Sequence, residues 1–339
     1  MSPAATDFRA LETTNRRQTV VLVAVMMTIL VAFGFLLDCW AGSVAIVNGR
    51  LVGFPVLTVA ALAFGTVQAL TSFYAGASLV LMSVHAHPLS PDSIEHKTVL
   101  DVISEMAIAS RLPVPAGYVI DDPSPNAFAT GRDPHHSALC VTQGLIDQMD
   151  REELQGVIGH EMSHIADYDI RTMMMVAVMV GGIAMLSDFV FRMMFFTGGR
   201  GGRGGRGGSS DRGDNGGGAL LAVAVIVLAA VAPIIAQLVA MAVSRQREYL
   251  ADASSVEFTR NPRALLRALE KIAQVESPLK EGTAGTAHLF IVNPREGLKD
   301  DDEGFFDNLL STHPPLNKRI ERLRAMAGAA QAAAQIPQT

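Results

Sequence analysis

The sequence predicts a mainly α membrane protein in which four apolar membrane helices accompany an α+β soluble portion. Three observations predict it. The 339-residue chain is 49% hydrophobic with a mean hydropathy of +0.29, and its apolar residues gather in long uncharged blocks. Between the second and third blocks lies a stretch with both helical and strand-like patterning. That stretch also carries the strongest chemical motif of the chain, His160-Glu161-Met162-Ser163-His164. By length the chain has room for two domains of ordinary size.

Residues 1–17 are polar, end in Arg16-Arg17, and read as a cytoplasmic N-terminal segment. From Gln18 to Leu37 no charge occurs, and a helix of that length spans about 30 Å, the hydrocarbon thickness. The run is too long for a cleaved signal peptide, and no small-residue cleavage site follows it promptly. Leu51 to Val84 is again uncharged; as one helix it exceeds the bilayer and is expected to tilt or protrude. Residues 18–84 are therefore expected to hold two transmembrane helices. Arg9, Arg16 and Arg17 precede the first span and only Arg50 lies between the two. The positive-inside bias then sets the N-terminus, and residues 85–171 after two crossings, in the cytoplasm.

Within 85–171 a helix is expected from near Asp92 to Ser110, with Val99, Val102, Ile103, Met106 and Ile108 at its apolar positions and Pro113 and Pro115 beyond its end. Gly117–Ile120 and Ser137–Val141 read as short strands, with Asn126–Gly131 between them. Asp150 followed three residues later by Glu153 resembles a capping box. Leu154, Val157, Ile158 and Ile165 follow at helical spacing, so the His160–His164 motif sits inside a helix.

Residues 172–244 are expected to form a membrane hairpin. Its arms are Thr172–Val190, with Gly181-Gly182 and Asp188, and Ala219–Ser244, with Pro233 inside. A Gly/Arg-rich loop at 197–218 joins them. If both arms cross fully, Arg192, Arg200, Arg203, Arg206 and Arg212 lie outside, against the positive-inside trend. A shallow hairpin from the cytoplasmic face avoids this; either way the chain returns to its starting side. Residues 245–325 then complete the soluble part, and the Ala/Gln-rich 326–339 reads as a disordered tail.

A net charge of −6 carries no overall nucleic-acid footprint. The arginine-glycine loop invites an RNA-binding reading, but it lacks stacking aromatics and suits a flexible linker better. Cys39 and Cys140 are remote from each other and form no CxxC pair, which argues against a disulfide framework or a cysteine metal site.

Two histidines four residues apart project from one helix face, as two ligands of a single metal ion require. Neutral imidazole nitrogens suit zinc, and a catalytic zinc keeps one position open for water. Glu161, between them, is placed to take a proton from that water as it attacks a carbonyl. One protein ligand is then missing. Glu248, in Arg245-Gln-Arg-Glu248-Tyr-Leu-Ala-Asp252 directly after the fourth block, is the best candidate. An even number of crossings puts it on the same membrane side as His164. Asp252, one helical turn on, could accept a hydrogen bond from a ligand imidazole and fix its tautomer. The competing reading is a membrane-proximal helix with snorkelling arginines and incidental acids.

Together, Asn126-Ala-Phe-Ala-Thr-Gly131, His160-Glu-Met-Ser-His164, Glu248-Tyr-Leu-Ala-Asp252 and Thr312-His313-Pro-Pro-Leu-Asn-Lys-Arg319-Ile resemble the ordered signature of the HtpX-type membrane zinc endopeptidases. These are related to the CAAX prenyl endopeptidases within the gluzincin group, and the similarity covers nearly the whole chain. The resemblance implies an α+β gluzincin-type zinc metalloprotease domain with one Zn²⁺ per chain. His160, His164 and Glu248 would be its ligands, Glu161 the general base and later proton donor, and Asp252 the acid behind a ligand. Asn126, Ala127 and Phe128 resemble the substrate-facing edge strand, where main-chain pairing tolerates many sequences. His313 matches a histidine that steadies the oxyanion, and Arg319 a residue that places it.

The family further implies a multi-pass protein of the bacterial plasma (inner) membrane, its active site facing the cytoplasm. Its substrates would be misfolded or damaged membrane proteins, cleaved in protein quality control under stress; no nucleic-acid partner is expected. His164 precedes the third block by eight residues and Glu248 follows Ser244 by four, helical rises of about 12 Å and about 6 Å. Chemistry at the membrane surface is expected from this. Two rivals are a membrane scaffold with a structural zinc site and a nucleic-acid tether acting through the arginine-glycine loop. The presence of every expected catalytic group favours the hydrolase. The arginine-rich loop and the Ala/Gln tail are the main departures from the family pattern, and neither touches a motif.

Overall fold

A computed structural model describes residues 8–47, 50–198, 216–242, 245–275, 289–291 and 316–334. In chain order its first elements are α1 (Phe8–Ala41), β1 (Val44–Val47), β2 (Arg50–Gly53), α2 (Val56–Ser83), β3 (His87–Pro88) and α3 (Ile94–Ser110). There follow β4 (Ala116–Ile120), β5 (Ala127–Gly131), β6 (Ser137–Thr142), α4 (Gln143–Gln148) and α5 (Arg151–Ala166). The remaining helices are α6 (Asp169–Gly198), α7 (Gly216–Ala242), α8 (Arg245–Thr259), α9 (Pro262–Ile272) and α10 (Leu316–Ala334). The chain divides into two units, one of residues 1–20, 72–178 and 240–339, the other of 21–71 and 179–239.

The first unit holds a four-stranded sheet in the order β3-β4-β6-β5. β4 and β6 are parallel, while β3 and β5 pair antiparallel on the outside, so β5 is an edge strand. α3 starts where the Ser93 hydroxyl accepts from the His96 N–H, and ends at Arg111 in the left-handed region. α5 starts with the full capping box: Asp150 accepts from the Glu153 N–H at 2.9 Å and Glu153 from the Asp150 N–H at 2.8 Å. Two donors that a helix N-terminus leaves orphaned are thereby satisfied.

α5 is the centre of this unit, packed by α3, α8, α9 and β5. Val99, Val102 and Ile103 of α3, Val157, Ile158 and Ile165 of α5, and Leu265 and Leu269 of α9 share one buried apolar cluster. α9 approaches closely because residue 156 is glycine. A Cβ there would meet the Leu265 backbone nitrogen at 2.4 Å. On the other side, the Ser255 hydroxyl of α8 donates to the Gly156 carbonyl at 2.6 Å. The polar motif helix is thus clamped on several sides.

In the second unit α1 and α2 pack through small residues. A Cβ on Gly34 would meet Leu57 O at 2.7 Å and Ala61 Cβ at 2.8 Å. Buried Asp38 ties the two helices by accepting from the backbone N–H groups of Leu57 (3.0 Å) and Thr58 (2.7 Å) and from the Ser43 and Thr58 hydroxyls. β1 and β2 form an antiparallel hairpin between the helices. Phe33, Leu37, Val190, Val225 and Ala229 form an apolar cluster of this unit. Among the described residues three helical stretches are long and apolar enough to cross a membrane, Thr19–Ala41, Val56–Ser83 and Asp169–Met193; Leu220–Ala236 is a shorter one.

Two expectations need correction. Leu51–Val84 is not one long helix: Leu51 to Gly53 belong to β2, and α2 begins only after Pro55. The break falls at Gly53, whose φ of +109° and 2.1 Å approach of a would-be Cβ to Ser43 O suit glycine alone. The tail from residue 326 is not disordered throughout, since α10 continues to Ala334. Alanine has the highest helix propensity, and this segment carries six alanines between 326 and 334. The arginine-glycine segment at 199–215 lies outside the described residues.

Candidate metal centre

His160 and His164 occupy successive turns of α5, and Glu248 stands in the first turn of α8. The structure brings all three together and buries them. The two Nε2 atoms lie 3.3 Å apart; His160 Nε2 is 3.6 Å from Glu248 Oε2, and His164 Nε2 is 3.7 Å from Glu248 Oε1. A four-coordinate ion with bonds of about 2.0–2.2 Å sets its ligand atoms roughly 3.3–3.6 Å apart. Two neutral nitrogens and one carboxylate at those separations fit such an ion. No other group of three potential ligands is found among the described residues.

Each imidazole turns its second nitrogen to a carboxylate. His160 Nδ1 is 3.1 Å from Asp252 Oδ1, and His164 Nδ1 is 3.3 Å from Asp169 Oδ2. In that arrangement Nδ1–H donates and Nε2 keeps its lone pair for a metal. Asp252 is in turn gripped by the buried guanidinium of Arg319 on α10, at 2.7 and 3.0 Å. Arg319 also donates to the Ile291 carbonyl at 3.0 Å and lies 3.3 Å from Glu248.

The charges shape one another. Burial raises the Asp252 pKa, but the Arg319 charge and the His160 hydrogen bond outweigh it and hold the carboxyl at about 2. Burial lowers the pKa of His164, yet the Asp169 hydrogen bond and the charges of Glu248 and Glu161 hold it up at about 9. Glu161 is buried, which pushes its carboxyl above the usual range; the neighbouring histidines oppose that and the Glu248 charge adds to it.

The remaining expected residues fare differently. Asn126 and Phe128 are buried at the start of the edge strand, the Asn126 side chain accepting from the Ala127 N–H at 3.0 Å. The Ala127 carbonyl already accepts from the Ile291 N–H at 2.9 Å. The Phe128 ring packs edge-on against Phe290, centroids 5.0 Å apart, inside a second apolar cluster. His313 lies outside the described residues. Sequence reasoning missed Asp169 and Arg247, whose ion pair measures 2.7 Å. Their available signals were weak: an acid opening an apolar block, and a cation beside Glu248.

Residues 93–327 match the model of Peptidase family M48. A protein of Streptococcus uberis described as "Protease HtpX homolog" is 37% identical over 314 residues, covering 92% of this chain and 97% of its own. One of the same description from Caldanaerobacter subterraneus subsp. tengcongensis is 38% identical over 317 residues, covering 93% and 97%. A third, from Dictyoglomus thermophilum, is 43% identical over 236 residues, covering 70% and 71%. Among solved structures, the crystal structure of S. mikatae Ste24p aligns with a TM-score of 0.47 at 18% identity, over 93% of this chain and 66% of that one. The matched range contains the histidine pair, the glutamate between them, Glu248, Asp252 and Arg319, and on this footing the chain belongs to peptidase family M48 and is a membrane metalloprotease.

Proposed function

We propose that the protein is an HtpX-type, zinc-dependent endopeptidase that hydrolyses peptide bonds of misfolded or damaged membrane proteins. Its site would face the cytoplasm of a bacterial plasma membrane. The observation that carries the catalytic reading is the convergence of His160, His164 and Glu248, from two helices, at ligand-to-ligand spacing beside Glu161. Apolar helices long enough to span, and the arginines ahead of the first one, support the membrane and the cytoplasmic orientation. The relatives described as proteases disfavour a silent scaffold with a structural metal.

His160, His164 and Glu248 would hold the ion. When bound, zinc lowers the pKa of a water towards 7 and polarises the scissile carbonyl. Glu161 takes the proton of the attacking water and later delivers it to the leaving amine. Its place between the two ligand histidines, buried from bulk water, suits a base that must also act as an acid. Asp252 keeps His160 in the metal-binding tautomer, and Arg319 keeps Asp252 ionised and in place. His313 would steady the developing oxyanion, as the family pattern implies, and Arg319, paired with Asp252 and beside Glu248, would help to place it. An extended substrate would pair along β5, the edge strand that Asn126 leads into and that begins with Ala127 and Phe128, beyond the Ala127 carbonyl that Ile291 engages. Dialysis of the purified protein against a strong chelator should abolish cleavage of an unfolded protein, and added zinc should restore it. Cleavage that survives complete metal removal contradicts the proposal.

A further inference from the structure

We infer that Asp169 and Arg247 are positioning residues for the second metal-ligand imidazole, so that each ligand histidine is held by its own carboxylate–guanidinium pair. This rests on the metal centre proposed above. On one side the order is His160, Asp252, Arg319; on the other it is His164, Asp169, Arg247. The second set has the same connectivity as the first. His164 Nδ1 lies 3.3 Å from Asp169 Oδ2, and Arg247 Nη1 donates to Asp169 Oδ1 at 2.7 Å. Asp169 is buried, and the Arg247 side chain retains only 12% of its exposure.

The placement of both residues serves this role. Asp169 is the first residue of α6, where the helix dipole favours a carboxylate. Arg247 directly precedes Glu248, so one turn of α8 supplies both the third ligand and the clamp on the acid behind the second. A carboxylate accepting from Nδ1–H fixes the ring tautomer and orientation and strengthens Nε2 as a ligand; loss of such a partner typically weakens metal binding 10–100-fold. Without Arg247, Asp169 would lose the cation that holds one of its oxygens while the other faces the ring. The opening residue of an apolar helix and the first turn after the hairpin thus both bear on the metal geometry.

The test uses the full chain in detergent. Zinc affinity is measured by competition with a chromogenic chelator, and ligand geometry by the visible absorption bands of the cobalt-loaded protein. Helical circular dichroism monitors folding. Asp169→Ala is expected to weaken zinc binding about 10–100-fold and shift the cobalt bands while helicity is kept. Asp169→Asn retains an acceptor and should bring the bands back towards wild type with affinity only partly recovered. Arg247→Ala should weaken zinc binding by a smaller factor. Wild-type affinity and bands in Asp169→Ala overturn the inference. Should that variant not fold, Asp169→Asn decides it, since unchanged affinity and bands there overturn it equally. His160→Ala is the control for the reading beneath: if wild type and His160→Ala take up zinc alike, the metal centre itself fails. If only the Asp169 variants behave as wild type, this inference fails alone.

Discussion

Helix α5 buries Glu153, His160, Glu161, Ser163 and His164, whereas α7, whose only polar side chain is Gln237, leaves Leu220, Val223, Val227 and Ile234 each more than half exposed. The polar helix is buried within its own unit, while the apolar helix leaves much of its side-chain surface exposed. In α5 the charges are tolerated because partners meet them. Lys271 lies 2.5 Å from Glu153, and Asp252 and Asp169 face the two histidines. Unpaired, such groups would cost several kcal/mol each on leaving water. α7 has the complementary problem: its side chains make sense only against lipid tails, where a helix satisfies its own backbone and apolar surface carries no penalty. The difference teaches that burial here follows the surrounding solvent, and that within the first unit polarity marks the working surface.

The contrast can be broken most severely at Arg319. Arg319→Met removes the cation from a buried cluster containing Asp252 and Glu248, and breaking such a set typically costs about 3–5 kcal/mol. A lowered denaturation midpoint of the metal-free protein is the readout; unchanged stability would show that the charges are not mutually dependent. In α7 the equivalent insult is Val227→Lys near the helix centre. It should disfavour insertion by about 2.5–3.5 kcal/mol, seen as a reduced membrane-integrated fraction, while Val227→Leu changes nothing measurable.

Glycines sharpen the same comparison at smaller cost. Gly156→Ala in α5 drives a methyl group into the Leu265 backbone and should destabilise by about 1–3 kcal/mol, although alanine is ordinarily the better helix former. Gly181 in α6 has open space around its would-be Cβ, so Gly181→Ala should be neutral or slightly stabilising. Parallel thermal melts of the two variants check this.

The smallest effect is a proton count. His164 is held at about 9 against an ordinary 6.5, so in the metal-free protein it carries a proton at neutral pH. Because its folded pKa is the higher one, its contribution to stability is complete below about 6.5 and lost as pH rises through about 9. Zinc must displace that proton, so uptake near neutral pH should release protons and tighten with rising pH. Calorimetric titration in buffers of different ionisation enthalpy measures the release.

Much of the site was legible because its logic is local. His160 and His164 are one turn apart, Asp150 and Glu153 announce the helix start, and Glu248 and Asp252 repeat the one-turn spacing beyond the last apolar block. What was not legible depends on contacts between distant parts of the chain. Asp169 and Arg247 are 78 residues apart, and Asp252 and Arg319 are 67 apart; no local pattern pairs either set. The family motif marks Arg319 but not the carboxylate it grips. In the fold, the uncharged run from Leu51 hid a strand because hydropathy does not distinguish a short apolar strand from a helix start. The alanine-rich end of α10 departs from expectation for a related reason: low sequence complexity suggests disorder, while alanine's helix propensity acts the other way.

Zinc content and cleavage of an unfolded protein, measured side by side for the wild type and Glu161→Gln, test the central claim most directly. One zinc per chain is expected in both, and turnover in the wild type alone. Wild-type turnover by Glu161→Gln, or an active wild type that holds no zinc, would contradict it.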